Sequence, residues 1–201
     1  TRKSVLYIAN TKSAAKSIYE GVKDEADVVV HLSTNMCPSH RRDRLKLLNE
    51  TLDKKESKVI CISTQLIEAG VDVSFDTVIR SLAGLDSIAQ AAGRCNRHGE
   101  SDEKGGVMIV NPDFENLGSL EEMKVAQKCT ERLFREYEAQ PEKFAHDLIG
   151  IIALARYYEF FYFERALKMD YPHDGDSLLN LLSSNEKSQG DYFRIEEKAS
   201  P

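Results

Sequence analysis

Long apolar runs are what this sequence lacks first: nothing in its 201 residues approaches the roughly 18 uninterrupted apolar positions of a membrane-spanning helix. A helical membrane span is therefore excluded. No C-x-x-C pair occurs either, since Cys37, Cys61, Cys95 and Cys129 lie far apart, so reduced, mostly buried thiols and no zinc site are expected. The chain opens on no charged, apolar, small-residue leader, which points to a cytoplasmic protein. Thr1 is followed almost at once by a strand-like run, as expected of a segment cut from a longer chain. Positive charge is also in deficit, with 27 Lys and Arg against 33 Asp and Glu and a net charge of -6. That argues against a binder held by overall charge, as histones are, but not against local patches. Arg41, Arg42, Arg44 and Lys46 form one such patch and Arg94 and Arg97 another; the competing reading of the first is a solvated helix face.

What is present reads as a layered fold. Apolar residues make up 41% and charged residues 30%, ordinary for a globular domain. Five short β-branched runs punctuate the first half: VLYIA (5–9), VVVHL (28–32), KVICI (58–62), DTVIR (76–80) and GVMIV (106–110). They are continuous rather than alternating, as in strands covered on both faces. Between the first three lie helical patterns, KSAAKSIYEGV and, behind Pro38, SHRRDRLKLLNETL. Strand and helix in alternation predict an α/β fold with a doubly wound parallel sheet. After NPDFENLG (111–118) the pattern turns helical. One helix is predicted at SLEEMKVAQKCTERLFREYEA, and a second after Pro141 with Phe144, Leu148, Ile152, Ala155, Tyr158 and Tyr162 on its apolar stripe. A loop with one short helix at DSLLNLLSS and a weakly ordered tail follow.

Ligands of open parallel sheets bind outside the carboxyl ends of the strands. The first three strands run there into ANTKSAAK, STNMCPSHRR and STQLIEAGVD, each carrying hydroxyls directly before a helical pattern. A single such Thr reads as a helix N-cap. Three on one rim, with free backbone N–H groups and helix N-termini, form a track for the phosphates of a polynucleotide, and Lys12 adds a charge. In QAAGRCNRHGE, a helix begun by Asp86 would place Gln90, Arg94 and Arg97 on one face, with Gly93 allowing close approach. Two guanidinium groups so presented suit bidentate contact with phosphate oxygens. The alternative is that they stabilise the helix C-terminus through its dipole.

Together, STQLIEAGVDVSFD and QAAGRCNRHGE resemble motifs V and VI of superfamily 2 helicases, and LYIANTKSAAKSIYE stands where motif IV would be. More narrowly, HLSTNMCPSHRR, EAGVDVSFD, LDSIAQAAGRCNRHGE and MDYPHDGDSLLNLLS resemble the CRISPR-associated helicase-nucleases of type I systems. The resemblance implies a second RecA-like lobe over 1–115 and a helical extension with a weakly ordered tail over 116–201. It places Gln90, Arg94 and Arg97 at the catalytic positions, where the arginines reach the γ-phosphate of ATP, and Gly70 and Asp72 at nucleotide-contacting positions. Thr64, Asn10 and Thr11 would touch single-stranded DNA, as would Ser33, Thr34 and Arg41 on a more variable motif; Asn96 has a family-specific position without a derived role.

The departures are informative. Neither a G-x-x-x-x-G-K-[ST] loop nor a D-E-x-H box occurs, so half of an ATPase is missing. The resemblance assigns ATP and Mg²⁺ mainly to a first RecA-like lobe, with a metal-dependent HD nuclease before it in the full-length chain. It also implies recruitment by a CRISPR surveillance complex of the Cascade type. His146-Asp147 in AHDLIG reads as helix surface and not as a nuclease dyad, which needs several gathered ligands. The readings left open are another superfamily 2 motor, acting on RNA or of restriction type, and a docking module without motor function.

Overall fold

A computed structural model describes residues 4–54, 57–68, 71–97, 105–168, 172–173, 176–177 and 180. Strands β1 (Ser4–Ile8), β2 (Val28–Leu32), β3 (Val59–Ser63), β4 (Thr77–Ser81) and β5 (Gly106–Val110) form one sheet in the order β2-β3-β1-β4-β5. Every pairing is parallel. Helices α1 (Lys12–Val22), α2 (Pro38–Lys54) and α3 (Leu85–Ala92) connect the strands, and a 3-10 turn at Gln65–Ile67 follows β3. The α/β fold with a covered parallel sheet is the one the run pattern predicts.

Both faces of the sheet are buried along β1, β3 and β4, which explains their unbroken apolar runs. Val107 and Met108 of the edge strand β5 are exposed, against the expectation for GVMIV. Leu6, Ile8, Val30, Leu32, Val59 and Cys61 point into one core, joined by Leu48 of α2 and Ala91 of α3. Ala9 and Ile62 point into the other, against Ala14 and Ala15 of α1. Each fully buried Leu or Ile contributes about 1.5–3 kcal/mol, so these layers hold the strand ends in place. Burial pushes the Cys61 thiol far above its usual pKa. Cys61 and Cys129 are buried as expected, whereas Cys95 is half-buried and Cys37 exposed. Among the described residues no helix is long and apolar enough to cross a membrane, and no cluster of His, Cys, Asp and Glu could hold a metal.

Helices α4 (Glu121–Ala139) and α5 (Ile151–Arg165) follow the sheet. The single helix expected after Pro141 is corrected to a 3-10 turn at Pro141–Phe144, a tight bend, and then α5. Ala145 and His146 take left-handed φ values of 53° and 58°, which no helix continues through. Asp147 then accepts the Ile149 N–H at 3.1 Å, a local bond that competes with helix. His146 and Asp147 are accordingly exposed in a bend and not on a helix surface. The break also changes which residues are covered: Ala153 and Tyr157 are buried, while Ile152, Ala155 and Tyr162 of the predicted stripe are exposed.

Two compact units divide the chain, 1–157 and 158–201. In the second, Tyr158 stacks on Tyr162, and Pro172–His173 pairs antiparallel with Asp176–Ser177, where the start of a short helix was expected. The rest of DSLLNLLSS, apart from Asn180, lies outside the described residues.

His31 of β2 stacks on Tyr19 at 5.3 Å, and its Nε2 is enclosed without a partner. Burial holds its pKa below the ordinary value; Glu20 opposes that shift and Lys16 adds to it. As pH falls through about 6.5 the unfolded chain takes up a proton first, while folded His31 stays neutral. Stability from this group is therefore intact above about pH 6.5 and is lost as pH falls toward the folded-state pKa. Denaturation midpoints at about pH 7.5 and about pH 5.5 should differ less in His31→Gln than in the parent chain.

Candidate functional site

The carboxyl ends of β2, β3 and β1 are neighbours, because Ser63 is level with both Leu32 and Ile8. The Ala9 N–H donates to the Ser63 carbonyl at 2.9 Å, continuing that contact past the strands. Asn10 and Thr11, Ser33 and Thr34, and Thr64 thus line one edge, and Lys12 Nζ donates to Asn35 Oδ1 at 2.8 Å across it.

The hydroxyls differ in what they do locally. Thr11 Oγ1 accepts the Ala14 N–H at 3.2 Å and caps α1. Ser33 is buried, and its Oγ accepts the Asn35 N–H at 3.3 Å; Thr34 is exposed beside it. Thr64 is buried and makes no capping hydrogen bond, although it precedes the 3-10 turn. Arg41, in the first turn of α2, is half-buried with Nε enclosed and unpartnered. Arg42, Arg44 and Lys46 are exposed, as a solvated helix face would be.

Glu115 is a component that the sequence did not single out. Its Oε1 accepts the N–H groups of Asn10 and Thr11 at 2.7 and 3.0 Å, and its Oε2 accepts Asn10 Nδ2 at 3.0 Å. A carboxylate therefore satisfies the amides at the α1 N-terminus, the place that favours negative charge. A strand phosphate at those amides would have to displace it.

The arginine segment departs from the expected helix face. Helix α3 ends at Ala92 with Gly93 as C-cap, and Asn96 has a left-handed φ of 46°. Arg94 and Arg97 therefore lie beyond the helix, and Gln90 alone is on it, exposed. The cause is a pairing within the lobe: the Phe75 N–H donates to the Arg94 carbonyl and the Asn96 N–H to the Phe75 carbonyl, each at 2.9 Å. Gly93 is exposed, and a Cβ there would meet only carbonyl oxygens at 3.4 Å and beyond, so nothing inside the lobe requires glycine.

The two arginines then part company. Arg94 is buried and donates from Nε to the Ile67 carbonyl at 3.1 Å and from a terminal nitrogen to the Glu68 carbonyl at 2.6 Å. Arg97 is exposed, with one terminal nitrogen 3.3 Å from the Val71 carbonyl and 3.5 Å from Asp72 Oδ1. Its own N–H donates to Ser74 Oγ at 2.9 Å. Both thus hold the loop between β3 and β4, Arg94 at its start and Arg97 near Asp72. Gly70 lies outside the described residues.

Beneath this loop is an ion pair that the sequence reading passed over. Arg80 of β4 is wholly buried, 2.8 Å from Glu68 Oε1. It donates to Asn10 Oδ1 at 2.7 Å, the Ser81 carbonyl at 2.8 Å and Ser87 Oγ at 2.9 Å. Ser87 donates in turn to Glu68 at 2.8 Å. Burial pushes the Glu68 carboxyl above the usual carboxylate range and lowers the Arg80 guanidinium; each charge draws the other back. The signal was available: Arg80 in DTVIR is a basic residue inside a β-branched run, and Glu68 in STQLIEAG is an acid just after the preceding run.

Removing one partner leaves the other as an uncompensated buried charge, which costs about 3–5 kcal/mol. Arg80→Met and Glu68→Gln should each lower stability on that scale. The combined Arg80→Met, Glu68→Met chain should lose far less than the sum, read from denaturant midpoints in a double-mutant cycle.

Residues 1–100 match the family described as CRISPR-associated nuclease/helicase Cas3, C-terminal. The CRISPR-associated nuclease/helicase Cas3 of Haloferax volcanii is 46% identical over 95 residues, 45% of this chain and 10% of that relative's length. The chain thus spans about a tenth of that curated relative. The crystal structure of T. fusca Cas3 superposes with a TM-score of 0.63 at 16% identity, covering 83% of this chain and 22% of that one. A chain of a CRISPR RNA-guided surveillance complex in its pre-nicking state gives a TM-score of 0.54 at 14% identity, covering 83% and 24%. At these identities the structural likeness speaks for the fold, an α/β RecA-like lobe with a helical C-terminal part. Through residues 1–100, the chain belongs to the CRISPR-associated nuclease/helicase Cas3 C-terminal family.

Proposed function

We propose that this chain is the second motor lobe, residues 1–115, and helical extension of an ATP-dependent translocase that moves 3′-to-5′ on single-stranded DNA. In this reading the full-length protein unwinds and degrades foreign DNA presented by a CRISPR surveillance complex. Its first RecA-like lobe and HD nuclease lie elsewhere in the full-length chain. The relatives named Cas3 and the surveillance-complex chain of the same fold support it.

The observation that carries the proposal is the loop between β3 and β4. Thr64 at its start stands on the strand-end rim, and Asp72 further along stands against Arg97. One short segment therefore reaches from the expected DNA edge to the expected nucleotide edge, and Arg94 and the Arg80–Glu68 pair hold it between. Bound ATP with Mg²⁺ supplies the phosphoryl bond whose cleavage drives motion. Arg97, exposed and engaged by its side chain through long contacts to the Val71 carbonyl and Asp72, fits a cation that turns to a phosphate. Gln90, Asp72 and Gly70 would face the same nucleotide. Arg94 acts from beneath by holding the carbonyls of Ile67 and Glu68 in the loop that leads to Asp72. Lacking the P-loop and acidic box, this segment by itself leaves ATP intact.

The different burial of the arginines separates their roles. In the full-length protein, Arg97→Ala should cut ATP turnover by roughly 10² or more, the scale of a lost transition-state arginine, with an unchanged melting temperature. Arg94→Ala should cut turnover too and also lower the melting temperature, because two buried carbonyls lose their donor. Equal melting temperatures for the two variants would contradict this division.

Thr64 tests the rim. Thr64→Val in the full-length protein should weaken single-strand binding by about 0.5–1.5 kcal/mol, equally across sequences. The salt slope should stay the same, because no charge is lost. Wild-type binding and translocation by a normally melting variant would remove Thr64 from the DNA contacts.

A further inference from the structure

A second cationic site lies away from the strand-end rim, where α4, the 3-10 turn at Pro141–Phe144 and α5 meet. A cavity of about 460 Å³ is lined there by Arg132 and Arg135 of α4, Lys143 of the turn and Arg156 of α5, with Phe144 among its walls. That size is in the range of ligand-holding pockets. Glu136 is the one acid in the lining. Its two carboxylate oxygens are engaged by Arg156, at 3.0 Å from Nε and 3.2 Å from a terminal nitrogen. The Arg156 hydrogen bonds, and then the charges of Arg156, Arg132 and Lys143, hold the Glu136 carboxyl below its usual range despite its partial burial.

The arrangement is unusual for this chain, which carries a net charge of -6. Of the charges on this part of α4, Arg132, Arg135 and Glu136 line the cavity, while Glu131 and Glu138 do not. Two arginines three residues apart on a helix repel each other by a few tenths of a kcal/mol, and Lys143 adds a third cation to the same concavity. Once Arg156 is matched by Glu136, the cavity has more positive charge than its own acid neutralises. Arginines favour oxyanions that accept paired hydrogen bonds, phosphates above all.

We propose that this cavity between α4, the Pro141–Phe144 turn and α5 is a binding site for the phosphate groups of a single nucleic-acid strand, separate from the rim at the ends of β1, β2 and β3. The choice of a strand over a free phosphate rests on the motor reading above. Glu136 limits how much negative charge the cavity accepts, and Arg135 and Lys143 supply the contacts.

The test uses the full-length protein and a fluorescent oligothymidylate strand, titrated at several salt concentrations. Arg135→Gln and Lys143→Gln should each weaken binding and reduce the slope of log affinity against log salt by about 0.7, the value for one single-strand phosphate contact. Glu136→Gln should tighten binding, a direction that loss of structure would not produce. In parallel, Lys143 should be protected from acylation by the strand, and inorganic phosphate at equal ionic strength should give no such protection. Unchanged slopes in normally melting variants, with wild-type protein still binding the strand, would overturn the cavity as a DNA site and leave the motor reading standing. Absence of strand binding by the wild type would overturn both. Protection of Lys143 by inorganic phosphate alone, or loss of surveillance-complex binding with strand binding intact, would assign the cavity to a free anion or to an acidic protein partner and overturn the proposal.

Discussion

The buried ion pair between Arg80 and Glu68 is the constraint on which the functional end of the lobe depends. Arg80 is drawn from β4 and Glu68 from the turn after β3, and Asn10 after β1 and Ser87 on α3 complete the set. Two charges out of water are stable only when their mutual attraction and surrounding hydrogen bonds replace hydration. That requirement can be met here only if four chain segments arrive together. An ion pair of this kind adds little net stability over an apolar replacement, but it specifies geometry, since any misplacement leaves a bare charge.

Above the pair, the loop from Thr64 to Ser74 is held at both ends by the segment that follows α3. Arg94 takes two carbonyls at one end, and Arg97 meets Val71 and Asp72 at the other. The two arginines of one short motif therefore do different work. The buried one is bound by geometry and desolvation; the exposed one, in high dielectric at a long distance, keeps its freedom to change partner.

Charge along the rim is equally graded. The amides at the α1 N-terminus are already satisfied by Glu115, whereas Thr64 is buried without a capping bond. In the proposed reading, a strand phosphate would have to displace Glu115 at the loop after β1. The N-cap reading holds for Thr11, whose hydroxyl accepts the Ala14 N–H, and not for Thr64.

Much of this was legible in the sequence. Unbroken β-branched runs separated by helical spacing pointed to a parallel sheet with its central strands covered on both faces; the same pattern in GVMIV did not show that β5 is an edge strand with Val107 and Met108 exposed. The hydroxyl-bearing ends of those runs marked the rim, since parallel strands all finish on one side. Local pattern could not show where α3 stops, because the pairing of Phe75 with Cys95 that ends it joins residues distant in sequence. It could not show the bend at Ala145–His146 either, where backbone conformation outweighs a helical apolar spacing. The partners of Arg80, the burial that divides Arg94 from Arg97, and the cations gathered around Glu136 were decided by tertiary structure alone. A charged side chain carries no local signal of which distant carboxylate, carbonyl or like charge will share its volume once the chain has packed.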